Sequence, residues 1–268
     1  MGKLATLTQN QGRLGFFPGL KWTIFKSLSY RGLGPSHLTI HPKMLRHPLL
    51  VRMKESSDIH VVSQIFVQGE LDGWQCTKAT SVGVILDLGA NVGYTSALFL
   101  NLFPDAFVLA VEPDPLNAEV CRRNLAPYGG RAKVVEGAVW HKRGRLALSR
   151  GAFRDGLQWA TQVRAPQAGE TATVVAWDVP ALLEMCPRKT VDILKVDIEG
   201  SERDLFSYNA CEWLHCVRNL CIEFHGPECQ EAVVNALAGY YYETSSSGEY
   251  HFYLGVRSRS APPMSAGG

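Results

Sequence analysis

Five short apolar runs, each set apart by a segment of different pattern, constrain this chain more than any other feature. They are GVILDLG (Gly83 to Gly89), FVLAVEP (Phe107 to Pro113), AKVVEGAV (Ala132 to Val139), VDILKVD (Val191 to Asp197) and VRNLCIEFH (Val217 to His225). A strand with one wet face alternates apolar and polar residues, whereas a nearly continuous apolar run is buried on both faces. Helical spacing occupies Tyr94 to Leu102 and Leu116 to Leu125 between the runs, and Glu228 to Leu237 after the last. Doubly buried strands joined through helices form a parallel sheet covered on both sides. YYYET and EYHFYLGV, separated by SSSG, then predict a terminal antiparallel hairpin. The expected fold is α/β: a doubly wound, Rossmann-like seven-stranded sheet, mostly parallel with an antiparallel C-terminal hairpin.

Outside these runs the pattern is looser. Pro18, Gly32, Gly34, Pro35, Pro42 and Pro48 interrupt residues 1–50, which are expected to be irregular, with Phe16, Phe17 and Trp22 docked on the main body. Asp58 through Leu71 has helical spacing, and Trp74 to Ser81 reads as a connector. Residues 140–177 break the rhythm. RLALSR and TATVVAW predict antiparallel strands around a polar loop, an excursion at the edge of the sheet. Ser258 to Gly268 is rich in Pro, Ser and Gly and is expected to be a disordered tail. The expected division is an N-terminal extension and lead-in helix over 1–80, a ligand-binding domain over 81–257, and the tail over 258–268.

Composition narrows the partners. With 27 basic and 25 acidic residues the net charge is +2, so there is no basic excess of the kind phosphate binding needs, and nucleic acid is not expected. Arg122, Arg123, Arg131, Lys133, Lys142, Arg143 and Arg145 cluster in sequence and are expected to form a solvated face. No stretch approaches the ~20 apolar residues of a membrane span, and the N-terminus lacks a secretory apolar run. MGKLAT fits the myristoylation pattern in form only. The seven cysteines contain no CxxC pair and are expected to be reduced packing residues. A cytoplasmic location follows as the expectation. Nothing in the pattern specifies an oligomeric state.

Ligands of open α/β sheets bind at the carboxyl ends of the strands, near the point where strand order reverses. The first such end is Asp87-Leu88-Gly89-Ala90-Asn91-Val92-Gly93. Its glycines permit a sharp turn, and the following helix offers free N–H groups to a carboxylate. GANVG lacks the middle glycine of a dinucleotide loop, and Asp87 suits a ligand ammonium better than a pyrophosphate. Together they favour S-adenosylmethionine over NAD. At the second end, Glu112 can accept hydrogen bonds from both ribose hydroxyls; the alternative is a surface carboxylate. At the third end, Glu136, Gly137 and Ala138 either border an adenine or merely turn the chain. The fourth end carries Lys195, Asp197, Glu199 and Glu202, with Lys195 and Asp197 on one strand face. On the neighbouring strand end Glu223 and His225 also share a face. Such a cluster could be a general-base site, an oxygen-rich metal site, or a salt-bridge network that holds the loop, with Glu202 starting a helix.

VILDLGANVGYTS, AVEPDP with NAEVCRRNL, VDILKVDIEGSE and LCIEFH together resemble the FkbM-type methyltransferase family. Upstream, SSDIHVVSQIFVQGEL is similar to that family's lead-in, with Asp58 and the Gly69-Glu70 pair. The resemblance runs from about Ser57 to Val256. It implies a class I methyltransferase fold and methyl transfer from S-adenosylmethionine, often to a hydroxyl of a sugar, polyketide or related metabolite. It also implies that Asp87, Gly89, Asn91 and Gly93 contact the methionine half, that Glu112 holds the ribose with Asp114 nearby, and that Asp197 and Glu199 sit beside the sulfonium and acceptor. The expected partner is a small-molecule or glycan acceptor whose identity does not carry over from the family.

An alcohol is a poor nucleophile, so a base is expected near the acceptor oxygen. Asp197 and His225 are the leading candidates, with Lys195 orienting a carboxylate. A divalent metal that lowers the hydroxyl pKa is the competing version and is not favoured; no metal ligands are assigned. The rival functions are an NAD-linked oxidoreductase and a binding protein that keeps the fold without catalysis.

Overall fold

The computed structural model describes residues 3–54, 56–72, 74, 81–149, 162–167, 170–171 and 173–260. Gly2, Cys76, nearly all of the expected connector, and the tail beyond Ser260 lie outside these residues. The chain runs α1 (Lys3–Leu14), α2 (Phe16–Ser29), β1 (His37–Ile40), β2 (Leu49–Arg52), α3 (Asp58–Val62), β3 (Val84–Leu88), α4 (Tyr94–Leu102), β4 (Phe107–Glu112), α5 (Pro115–Leu125) and β5 (Ala132–Glu136). It continues through β6 (Ala138–Val139), β7 (Gly144–Ser149), β8 (Gln162–Arg164), β9 (Val174–Trp177), α6 (Val179–Leu183), β10 (Ile193–Val196) and α7 (Glu202–Ser207). The last elements are β11 (Leu220–Glu223), α8 (Pro227–Ala236), β12 (Tyr240–Ser247) and β13 (Tyr250–Ser258).

The central sheet has seven strands in the order β12-β13-β11-β10-β3-β4-β5. β11, β10, β3, β4 and β5 are parallel, while β13 lies antiparallel to both β11 and β12. After β3 the chain builds outward through β4 and β5, then returns to place β10 on the other side of β3. Their carboxyl ends therefore flank the switch point, where a crevice opens. Every side chain of β3 is buried, because apolar layers cover both faces of the sheet. Ile85 joins Trp74, Phe99 and Phe252 on one side, and Leu86 joins Leu109, Leu194 and Trp213 on the other.

Four expectations need correction. Of the three aromatic residues expected to dock on the main body only Trp22 is buried, whereas Phe16 and Phe17 on the first turn of α2 are 62% and 78% exposed. Residues 1–50 are not irregular: they form α1, α2 and the antiparallel β1–β2 pair. Pro18 is compatible with α2 because it falls in the first turn, where its missing N–H has no helical partner. Gly19 lets α1 and α2 meet backbone to backbone, since an added Cβ would stand 2.6 Å from the Asn10 carbonyl. The helix expected from Asp58 to Leu71 is α-helical only to Val62 and widens into a π-helical segment over Ser63–Gln68. The third expected strand breaks at Gly137, so that β5 stays in the central sheet while β6 enters a second, four-stranded sheet of order β6-β9-β7-β8.

The lead-in is tied down by polar anchors. Arg52 and the buried Asp58 form an ion pair at 2.7 Å, and Tyr94 at the start of α4 donates to the Leu50 carbonyl at 2.9 Å. Asp58 thus locks the lead-in against α4 and lies away from the crevice lining. Among the described residues, no helix is long and apolar enough to cross a membrane. Six cysteines there are free thiols, with Cys121, Cys221 and Cys229 buried.

Candidate active site

A cleft of about 290 Å³ opens over the carboxyl ends of β3, β4, β10 and β11. Its floor begins at Gly89, whose φ is +78°. A Cβ there would stand 1.7 Å from the Asp197 carbonyl oxygen, so only glycine lets the turns after β3 and β10 pass so closely. The Gly89 and Ala90 N–H groups donate to the Val111 carbonyl at 3.0 and 2.9 Å, which fixes this turn against the end of β4.

Glu112 closes β4 and faces the cleft. One carboxylate oxygen accepts the Asn91 N–H at 2.8 Å; the other accepts the Asp114 N–H at 2.9 Å and the Asn117 side-chain amide at 3.4 Å. Burial raises the Glu112 pKa to about 7, opposed by these same hydrogen bonds. Asp114 caps α5 by accepting the Leu116 and Asn117 N–H groups. Gly89, Asn91, Glu112, Gly137 and Ala138 lie on the cleft wall. Asp87, Gly93 and Asp114 support it from behind, and Glu136 instead pairs with Arg122 at 2.8 Å.

Parallel pairing sets Lys195 beside Asp87. The Lys195 ammonium is buried, donates to the Gly89 carbonyl at 2.8 Å and to Asp197 at 3.2 Å, and lies 3.4 Å from Asp87. Burial alone would lower its pKa, yet the Asp197 and Asp87 carboxylates hold it above the ordinary lysine value. Ser96 donates to the other Asp87 oxygen at 2.6 Å. Lys195 therefore links the glycine turn to the acidic loop after β10.

That loop contains carboxylates of two kinds. Glu202 is fully buried and accepts the Ile198 and Gly200 N–H groups at 2.9 Å each, so it holds the loop closed. Asp197 and Glu199 line the cleft. Glu199 is one of two non-glycine residues with positive φ among the described residues, at +53°. From β11, Glu223 also lines the cleft, and His225 lies just behind it with its side chain 1% exposed. Burial would lower the His225 pKa, but Glu202, Glu223 and Asp197 raise it to about 11. For Asp197, burial raises the pKa, but Lys195 and His225 pull it below the ordinary value; for Glu223, burial and then Asp197 push it up.

Several wall residues carry no assigned role in the sequence. Tyr250, set opposite Glu223 by the antiparallel β11–β13 register, donates to Asp197 at 3.2 Å. Glu249 comes from the β12–β13 turn, and Gln64, Ile65 and Glu70 come from the lead-in. Burial, then Glu249, Glu223 and Asp197, raise the Glu70 pKa to about 7. Val163 of β8 brings the excursion to the cleft. Among the described lining residues Lys195 is the single Lys or Arg, against six carboxylates. Such a wall disfavours anionic ligands and suits one with a positive centre and hydroxyl donors.

Residues 87–253, more than half of the chain, match the methyltransferase FkbM domain. The chain belongs to this FkbM methyltransferase family. The matched span starts at Asp87, behind the cleft wall, and ends on β13. The 2-O-methyltransferase NoeI of Sinorhizobium fredii is 29% identical over 167 residues, covering 55% of this chain and 65% of that protein. The O-methyltransferase imqG of Aspergillus flavus is 27% identical over 107 residues, covering 39% of this chain and 40% of that protein. The chain thus spans less than two thirds of either relative's length. A solved precorrin-6y C5,15-methyltransferase from Geobacter metallireducens is similar at 14% identity and a TM-score of 0.43, over 78% of this chain and 92% of that one.

Proposed function

We propose that this FkbM-family chain transfers a methyl group from S-adenosylmethionine to a hydroxyl of a small-molecule or glycan acceptor, such as a sugar, polyketide or related metabolite. One observation carries the proposal. Glu112 faces the cleft at the end of β4 with its oxygens set by the Asn91 and Asp114 N–H groups, beside a glycine turn and one strand pair away from an acid-rich mouth. Oε2, which accepts only the Asn91 N–H, keeps a free lone pair, and on Oε1 the long 3.4 Å Asn117 contact is the one a second ribose hydroxyl would displace. The O-methyltransferase names of two relatives support a hydroxyl acceptor.

The cofactor's methionine half takes the turn, with Gly89 and Asn91 as wall and Asp87 and Gly93 as backing. Glu112 grips the ribose, Asp114 fixes Glu112, and Gly137 and Ala138 border the adenine. Residues 81–257 form the cofactor-binding domain, and residues 1–80 are an extension whose lead-in closes one side of the cleft.

Methyl transfer is an in-line displacement, so alignment of acceptor oxygen, methyl carbon and sulfur does most of the work. Asp197 and Glu199 lie at the mouth where the methyl would emerge, and Lys195 orients Asp197. With its pKa near 11, His225 holds a proton at neutral pH, so a carboxylate receives the acceptor's proton. General-base help of this kind is worth ~10²–10⁴-fold. Thermal shift with S-adenosylhomocysteine and with NAD tests the cofactor choice. S-adenosylhomocysteine is expected to raise Tm and NAD to leave it unchanged; the opposite pattern refutes the proposal.

A further inference from the structure

The mouth holds a geometry that proton transfer alone does not require. The Nδ1–H of His225 is fixed on the buried Glu202 carboxylate at 3.0 Å. This aims Nε2 at the carboxylates of the cleft, and Nε2 has no hydrogen-bond partner among the described residues. It lies 3.4 Å from Glu223 Oε1 and 3.8 Å from Asp197 Oδ1, beyond ordinary N–H···O bonds. Two ligand atoms each about 2.1 Å from a shared cation stand about 3.0 Å apart at a right angle, about 3.4 Å apart at a tetrahedral one and about 4.2 Å apart when opposed. Asp197, Glu223 and His225 each offer an atom within 4.8 Å of the other two.

These atoms are also held from behind. Lys195 and Tyr250 both donate to Asp197 Oδ2 at 3.2 Å, which leaves Oδ1 on the His225 side. A metal-bound imidazole commonly gives its other N–H to a carboxylate, which fixes the ring as Glu202 does here. The left-handed backbone at Glu199 brings one of its oxygens within 3.5 Å of the same Nε2.

We propose that Asp197, Glu223 and His225 bind one divalent first-row cation of the Mn²⁺ class, with an open position facing the cleft. The site's existence is independent of the methyltransferase proposal; only its use rests on it. One imidazole with two carboxylates suits Mn²⁺, Fe²⁺ or Zn²⁺ better than Mg²⁺ or Ca²⁺. The imidazole gives its Nε2 proton to solvent and ligates through the freed lone pair. The acceptor hydroxyl takes the open position, where the cation lowers its pKa, and its proton passes to Glu199. The O–CH₃ bond then forms as the S–CH₃ bond breaks, with the electron pair leaving on sulfur. The weight thereby moves to the metal version that the sequence alone did not favour.

The test uses the full chain stripped with EDTA and titrated with Mn²⁺, following the free-ion electron paramagnetic resonance signal; S-adenosylhomocysteine is titrated separately by calorimetry. One Mn²⁺ per chain is expected, with His225→Gln and Glu223→Gln each weakening it at least about tenfold while S-adenosylhomocysteine affinity is kept. Either variant suffices if the other fails to fold. No stoichiometric uptake at about 1 mM Mn²⁺, or unchanged uptake by the folded variants, overturns the proposal. Loss of S-adenosylhomocysteine binding with intact Mn²⁺ uptake overturns the methyltransferase proposal and supports this one.

Discussion

Among the described residues, the cleft wall at the ends of β3 and β4 is a glycine turn with uncharged neighbours and Glu112 as its one carboxylate, whereas at the ends of β10 and β11 it is mostly ionisable side chain. The first region is set by a glycine turn fixed on the Val111 carbonyl, and its carboxylate is oriented by N–H groups. The second is a network in which Asp197 is held by Lys195 and Tyr250, and His225 by Glu202. A turn and a carboxylate held by backbone hydrogen bonds present the same surface whatever the acceptor, which suits a shared cofactor. A side-chain-built wall changes with single substitutions, which suits chemistry and acceptor choice. Lys195 belongs to both, since it touches the Gly89 carbonyl on one side and Asp197 on the other.

Substitutions that strike one region and spare the other can break this division of labour. The largest effect is expected for Asp197→Asn, with kcat falling about 10²–10⁴-fold and S-adenosylhomocysteine affinity changing much less. Full activity in steady-state assays would remove Asp197 from the chemistry. Lys195→Met strikes the link and leaves the buried Asp87 carboxylate without its counter-charge, so chemical denaturation should show a loss of about 3–5 kcal/mol. An unchanged midpoint would mean that the ammonium contributes nothing to the join.

Glu112→Ala sharpens the contrast from the other side. Loss of hydrogen bonds to a charged group should weaken S-adenosylhomocysteine about 10–100-fold by calorimetry, with the unfolding midpoint kept near that of the parent. The smallest effect is in pH. The buried Glu112 carboxyl has a pKa of about 7, so it gains a proton as pH falls from 8 to 6 and accepts ribose hydroxyls less well. Affinity should fall by up to about tenfold over that range, following the protonated fraction. Glu112→Gln should flatten the profile; an equally steep profile in that variant would assign the titration to another group.

The parallel strands and the ends of β3 and β4 were legible because double burial writes itself as continuous apolar runs, and because Gly89 and Glu112 sit directly at the ends of those runs. The N-terminal helices were not. Pro18 and Gly19 look like breakers, but one sits where a first turn tolerates it and the other where two helix backbones touch. The mouth was legible only in part. Lys195 and Asp197 share a strand face by simple alternation, and Glu223 and His225 likewise. Tyr250, Glu249 and Glu70 reach the cleft through an antiparallel register and a π-helical segment, which no local pattern encodes. Sequence alone could not separate Glu202 from its acidic neighbours either. Its partners are the Ile198 and Gly200 N–H groups and a histidine from β11's far end, contacts that exist only after the loop closes.

A crystal structure with S-adenosylhomocysteine bound tests the division of the cleft most directly. The ribose hydroxyls should lie about 2.7 Å from the Glu112 oxygens, with the sulfur directed towards Asp197. A ribose seated at another strand end, or a sulfur turned away from the acidic mouth, would contradict the account.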